Sequence, residues 1–334
     1  MRTSKSRSLA TTRRVAAALL ATSLLGLSVP VARAEDGTPL PRAKPETVGM
    51  SATRLAAMGE FFRREAERGA AAGYTILVAR DGKLVYSAAV GMRDRENTVP
   101  MSLDTRFRIF SMSKPVTSVA VLMLYEEGKL QLDDPVSRFL PAFADMRVFT
   151  GVDAAGNIQT EPAREPITIR HLLTHTSGFG YGAGYDRTSP LGPLWAGVNF
   201  GGDLSSEEKI RKLAALPLYF QPGTQWRYSY ATDVLGYLVE VVSGMPFAEF
   251  LRTRLFDPLG MSHTGFYVSP TDAKLMATVY RRIAGDRGNV GKLERVEGPF
   301  AMPPTSPPAL PSGDRKSTRL NSSHVSESRM PSSA

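Results

Sequence analysis

The stretch Ile109-Phe110-Ser111-Met112-Ser113-Lys114-Pro115 sets a hydroxyl and an amine three residues apart, at the head of an apolar run from Val116 to Leu124. A serine hydroxyl is a weak nucleophile until a neighbouring group removes its proton. In the first turn of a helix the backbone N–H groups lack partners, and the positive dipole end favours negative charge over an ammonium. A lysine three positions on shares the serine's face, one turn deeper. Pro115 has no N–H to give and is tolerated only in a first turn, which places the helix start near Ser111. Ser111 is therefore a candidate nucleophile and Lys114 a candidate proton acceptor.

Spacing alone carries little weight. The chain holds two Ser-x-x-Lys pairs, about what its composition produces by chance. The second, Ser206–Lys209, lies inside "SSEEKIRKLAAL", where Ser205 and Glu208 have the spacing of a helix capping box, and it reads as structural. On spacing alone, an N-cap serine beside a surface lysine accounts for Ser111 and Lys114 at least as well as catalysis does.

Other patterns fail on inspection. His171 and His175 stand four apart on a helical stretch, but no glutamate follows His171 and no third ligand is evident, so they read as packing residues rather than a metal pair. Gly260 to Gly265 nearly spells a nucleophile elbow, but its last glycine is one residue late and no strand precedes it. "GDRGNVGKL" lacks the first glycine register and the Ser/Thr of a phosphate loop. The absence of cysteine excludes disulfides, thiolate metal sites and cysteine nucleophiles. No cofactor or metal is expected.

The elements that must position this chemistry read as follows. Ser51 caps an amphipathic helix with Leu55, Met58, Phe62 and Ala66 on one face, ending near Gly69. "YTILVAR", Asp81-Gly82 and "KLVYSAAVG" predict a β-hairpin over residues 74–90. The helix after Ser111 stops at Gly128. From Leu132 to Phe266 the pattern is helices and long loops: "ITIRHLLTHTSG" closed by Gly178, a glycine-rich loop, the capped helix after Ser205, "DVLGYLVEVVSG" and "PFAEFLRTRLFDPLG". Residues 297–313 read as a proline-rich loop.

Four ordered blocks, "SMSKPVTSVAVLMLYEEGKLQLDDPVSRFLPAF", "ITIRHLLTHTSGFGY", "WRYSYATDVLGYLVEVVSG" and "LFDPLGMSHTGF", resemble the serine β-lactamase-like superfamily. They look closest to family VIII carboxylesterases, relatives of class C β-lactamases and DD-peptidases. The resemblance runs from about Glu46 to Gly313. It implies an α/β (α+β) β-lactamase/transpeptidase-like fold, an antiparallel sheet flanked by helices plus a helical lobe. It implies that Ser111 is the nucleophile and Lys114 its partner, and that Tyr228, in Tyr228-Ser229-Tyr230, activates the serine and protonates the leaving group. Tyr230 departs from the asparagine of the lactamases, which favours an esterase. The implied activity is hydrolysis of small-molecule esters or amides through an acyl-enzyme. The alternatives are a β-lactamase or DD-peptidase, and a non-catalytic penicillin-binding-type sensor.

Both ends of the chain bear on this reading. Residues 1–34 hold six basic residues and no acidic one, an apolar run from Val15 to Val29, and Ala32-Arg33-Ala34. They read as a signal peptide cleaved after Ala34, implying a periplasmic or secreted protein with no stable membrane insertion. Residues 314–334, "DRKSTRLNSSHVSESRMPSSA", read as a non-native tail, because Asp314–His324 and "SRMPSSA" match the translation of a common sequencing adapter. The hydrolase domain is then expected over 35–313 and incomplete at its C-terminal side. The strands bearing a third motif and the second oxyanion donor would follow Gly313, leaving a two-stranded sheet remnant and a chain inactive as written. The formal charge of +9 falls mostly on the two ends. The middle is left near neutral, so charge gives no support for a nucleic-acid partner.

Overall fold

Ser51 opens the first helix, α1 (Ala52–Glu67), its hydroxyl accepting from the Arg54 amide at 3.3 Å. Leu55 is buried on the face that packs against strands β1 (Gly73–Arg80) and β2 (Lys83–Asp94). The two strands pair antiparallel from Gly73↔Gly91 to Arg80↔Lys83. Asp81 and Gly82 have φ of 51° and 66°, the left-handed pair that a two-residue hairpin turn requires. A two-residue edge, β3 (Val99–Pro100), pairs with Met92 and Asp94 and makes the sheet three-stranded, one more than expected. Val48, Leu55 and Val85 form the small core under this sheet, with Met58, Val78 and Tyr86 around them.

Strand β4 (Phe107–Arg108) leads into a 3-10 turn, Phe110–Met112, and then into α2 (Ser113–Glu126). The α-helix proper thus starts two residues beyond the position read from Pro115. The chain next forms a hairpin missed in the sequence, β5 (Arg147–Val152) with β6 (Ile158–Pro162). Asp153 holds its turn by accepting the amides of Ala155 and Asn157 at 2.9 and 2.8 Å. Only Val148 of β5 is buried, so the strand shows almost no apolar alternation to read.

Short α3 (Ile169–Leu173) ends five residues before Gly178, because His175 turns left-handed at φ 56°. Then follow α4 (Gly192–Ala196), α5 (Ser206–Ala214), α6 (Ala231–Ser243) and α7 (Phe247–Leu251), which runs on into a π turn, Arg252–Phe256. The described chain closes with α8 (Pro270–Ala273), the hairpin β7 (Tyr280–Ile283) with β8 (Lys292–Arg295), and β9 (Asn321–Ser322). The backbone of β9 pairs with β4.

This computed structural model describes residues 40–181, 188–198, 205–283, 291–298, 301 and 321–322. The expected signal segment, most of the proline-rich loop, and the tail apart from residues 321–322 lie outside the described residues. Among those described, no single helix is long and apolar enough to cross a membrane.

The main core lies where α2 meets α6. Ala120, Val121 and Leu124 of α2 and Val234, Leu238 and Val239 of α6 are fully buried, with Ile169 and Leu172 of α3 and Phe250 of α7 around them. Burying each such aliphatic side chain contributes about 1.5–3 kcal/mol. The outer face of α2 leaves Val119, Leu122 and Tyr125 exposed.

Gly178 sits where the segment after α3 passes close to Leu218–Phe220. Its φ is 85°, and a Cβ there would lie 2.5 Å from the Phe220 carbonyl oxygen and 3.1 Å from Leu218 Cβ. Gly178→Ala should therefore lower the unfolding free energy by about 2 kcal/mol or more. Gly244→Ala, at φ 70° with nothing within 4 Å, should cost only the left-handed strain of about 1 kcal/mol. Urea midpoints of the two variants measure the difference, and equal midpoints would contradict the close approach at Gly178.

Candidate active site

Ser111 is exposed at the outer end of a buried helix because of the turn that carries it. Phe110 takes φ 47°, a conformation L-residues other than Asn, Asp and His rarely adopt. Such strain costs on the order of 1–3 kcal/mol and persists only where the surroundings enforce it. Here the Ser113 hydroxyl donates to the Phe110 carbonyl at 2.7 Å, and the Arg108 guanidinium lies 5.1 Å from the Phe110 ring centroid. Ser113 itself is 1% exposed, so the turn is tied to the helix from the inside.

The three residues proposed from sequence meet here. Ser111 Oγ lies 2.7 Å from the Tyr228 hydroxyl, across 117 residues of chain. Lys114 Nζ stands 4.5 Å from the centroid of the Tyr228 ring. A cation over a phenol ring is attracted to its π-face. A phenol oxygen at hydrogen-bonding distance from a serine hydroxyl is placed to exchange a proton with it.

Tyr228 is held by rings on two sides. His175 stacks on it with centroids 5.1 Å apart and planes 25° apart, and Tyr181 meets it edge-on at 5.0 Å. The backbone is pinned on both flanks: the Arg227 amide donates to the His175 carbonyl at 2.9 Å, and the Tyr230 amide to the Gly180 carbonyl at 3.1 Å. His175 Nδ1 lies 3.1 Å from Ser229 Oγ, which also accepts from the Ala231 amide at the start of α6. His175, Tyr181 and the strained Phe110 were not assigned to the site from sequence. Nothing in residue type or spacing marks them, since each acts through a contact made by folding.

Tyr230 is only 8% exposed. It packs on Tyr181 at 4.7 Å and on Trp195 at 6.5 Å, so its ring backs the cluster instead of presenting a polar group to a substrate. The two histidines have separate roles. Burial holds the His171 imidazole below its ordinary range, and its Nδ1 accepts the Thr168 amide at 3.3 Å in a capping box. Among the described residues no cluster of three His, Asp or Glu side chains is suited to a metal ion. The decoy Ser206 donates to Glu240, a carboxyl pushed up by burial, while Ser205 and Glu208 form the capping box read from the sequence. The Gly260–Gly265 stretch follows the π turn, not a strand.

Tyr228→Phe deletes the oxygen that meets Ser111 and keeps the ring between His175 and Tyr181. The unfolding free energy should change by no more than about 1.5 kcal/mol. The rate at which an alkyl fluorophosphonate modifies Ser111 should fall by about 100-fold or more. Unchanged labelling would remove Tyr228 from the proton path.

The chain is similar to known proteins in sequence and in fold. The family model for β-lactamase covers residues 59–318. Esterase EstB of Burkholderia gladioli is 43% identical over 203 residues, 58% of this chain and 47% of that protein. The solved structure of EstCE1, a hydrolase with promiscuous acyltransferase activity, superposes with a TM-score of 0.65 at 32% identity, covering 81% of this chain and 69% of EstCE1. Simvastatin synthase (LovD) of Aspergillus terreus, unliganded, gives a TM-score of 0.65 at 28% identity, covering 82% of this chain and 66% of that one. The chain spans about half the length of the curated relatives it matches. With the family model matched over most of its length and the fold shared with these hydrolases, the chain belongs to the β-lactamase family, within the serine β-lactamase-like superfamily and near the family VIII esterases.

Proposed function

We propose that the protein is a serine hydrolase that cleaves carboxylic esters through an acyl-enzyme on Ser111. The observation that carries this reading is the 2.7 Å contact between Ser111 Oγ and the Tyr228 hydroxyl, with Lys114 Nζ 4.5 Å from the same ring. The names of EstB and EstCE1, an esterase and a hydrolase, support the same substrate class.

In this reading Tyr228 is the general base, with Lys114 Nζ beside its ring. As Ser111 Oγ bonds to the ester carbonyl carbon, its proton passes to Tyr228, and the carbonyl electron pair moves onto oxygen. The Ser111 N–H and the positive end of α2 face that developing oxyanion. When the intermediate collapses, the ester C–O bond breaks and the leaving alkoxide takes the proton from Tyr228. Tyr228 then accepts a proton from water as it attacks the acyl carbon, and returns it to Ser111 when the acid leaves.

The contest with a β-lactamase, a DD-peptidase or a non-catalytic sensor is decided by acylation of Ser111, which is read even when turnover is slow. An alkyl fluorophosphonate should label the protein once, with the modified peptide containing Ser111. Ser111→Ala should abolish labelling, and Ser206→Ala should leave its rate within about twofold. Short-chain p-nitrophenyl esters should give an acylation burst, and nitrocefin none. Labelling retained by Ser111→Ala would sink the assignment; a burst with nitrocefin alone would favour the lactamase.

We also propose that the protein is exported, which rests on the basic start, the apolar run Val15–Val29 and Ala32-Arg33-Ala34. N-terminal sequencing of material from the periplasm or medium should read from Glu35. Exported protein that begins at Met1 would refute it.

A further inference from the structure

Trp226 and Tyr228 lie two residues apart on the segment that leads into α6. Their neighbours in the chain are anchored. The Arg227 guanidinium covers the Tyr219 ring at 3.7 Å, and Ser229 is fully buried with its Oγ on His175 Nδ1. Trp226 and Tyr228 share one neighbour. Trp226 meets the His175 ring at 6.3 Å and 70°, and His175 stacks on Tyr228 at 5.1 Å. Trp226, His175 and Tyr228 therefore form a row of rings with the Ser111 hydroxyl at its end.

Both ends of that row, Trp226 and Ser111, are exposed. Trp226 is 68% exposed, whereas Trp195, the other tryptophan of the chain, is fully buried behind Tyr230. Met112, the residue after the nucleophile, is 69% exposed as well. An exposed apolar side chain is unremarkable when scattered singly. Trp226 differs because the chain next to it is fixed by the Arg227–His175 hydrogen bond and its ring meets a residue that stacks on Tyr228, the partner of Ser111. A pre-positioned indole loses little conformational freedom on binding and offers a large apolar face.

We infer that Trp226 is a substrate-binding residue whose indole forms the wall for the apolar acyl group of the ester while the carbonyl sits at Ser111. The inference rests on the ester-hydrolase reading and narrows it to esters of extended aliphatic or aromatic acids, with acetyl esters too short to reach the wall.

The presence of only two tryptophans, one exposed and one buried, makes the test direct. The full chain is labelled with an ethyl- or an octyl-bearing fluorophosphonate, in which Ser111 Oγ bonds to phosphorus and fluoride leaves. Quenching of tryptophan fluorescence by acrylamide is then compared. The octyl adduct should lower the quenching slope at least about twofold relative to unlabelled protein, and the ethyl adduct should leave it unchanged. Trp226→Phe should remove the quenchable component in every state. Trp226→Ala should slow octyl labelling about tenfold or more relative to ethyl labelling, the size of effect that lost apolar contact gives in a specificity pocket. Equal quenching in the octyl adduct and the free protein, or equal slowing of both reagents in Trp226→Ala, would overturn the role of Trp226 while leaving Ser111 as nucleophile. Failure of both reagents to label Ser111 would instead overturn the hydrolase reading, and this inference with it.

Discussion

The contact between Ser111 and Tyr228 joins the start of α2 to the segment that enters α6, and its geometry depends on how those two helices pack. Fully buried side chains from both fill the space between them, and close-packed interiors transmit small shifts instead of absorbing them. A hydroxyl and a phenol 2.7 Å apart tolerate displacements of only tenths of an ångström before the hydrogen bond weakens. The α2–α6 core therefore acts on the chemistry by holding a distance, although none of its residues approaches a substrate.

Around that contact, backbone strain appears on both sides. Phe110 immediately precedes Ser111 with φ 47°, and His175, which stacks on Tyr228, has φ 56°. Phe110 is a bulky residue that rarely takes this conformation, whereas histidine adopts it more readily. At Phe110 the surroundings are Ser113 and Arg108; at His175 they are the Arg227 amide and Ser229. Both strained positions lie beside the Ser111–Tyr228 pair. Strain concentrated beside a site and maintained by a well-packed core is a common way to preorganise polar groups.

The site has a closed side and an open side. Tyr181, Tyr230 and Trp195 stack inward from Tyr228 and give it a rigid, dry backing. Outward, Ser111, Met112 and Trp226 face solvent. Lys114 is partly buried, with its Nζ over the Tyr228 ring.

Much of the molecule was legible in the sequence because its signals are local. The Ser51 cap, the Asp81-Gly82 turn, the Ser205–Glu208 capping box and the apolar periodicity of α6 each follow from residues within one or two turns of one another. The β5–β6 hairpin was not, since only Val148 in β5 is buried and alternation needs a buried face to show. By spacing alone Ser111 and Lys114 were legible as a pair but not as a site, because chance spacing and an ordinary helix cap produce the same letters; the family resemblance added Tyr228. Tertiary structure supplies the distances: it carries Tyr228 across 117 residues to the Ser111 hydroxyl and gives the Ser206 hydroxyl to Glu240. The places of His175 and Trp226 were likewise decided by folding alone, since stacking on a distant ring and standing exposed beside it are relations between surfaces that no local pattern encodes.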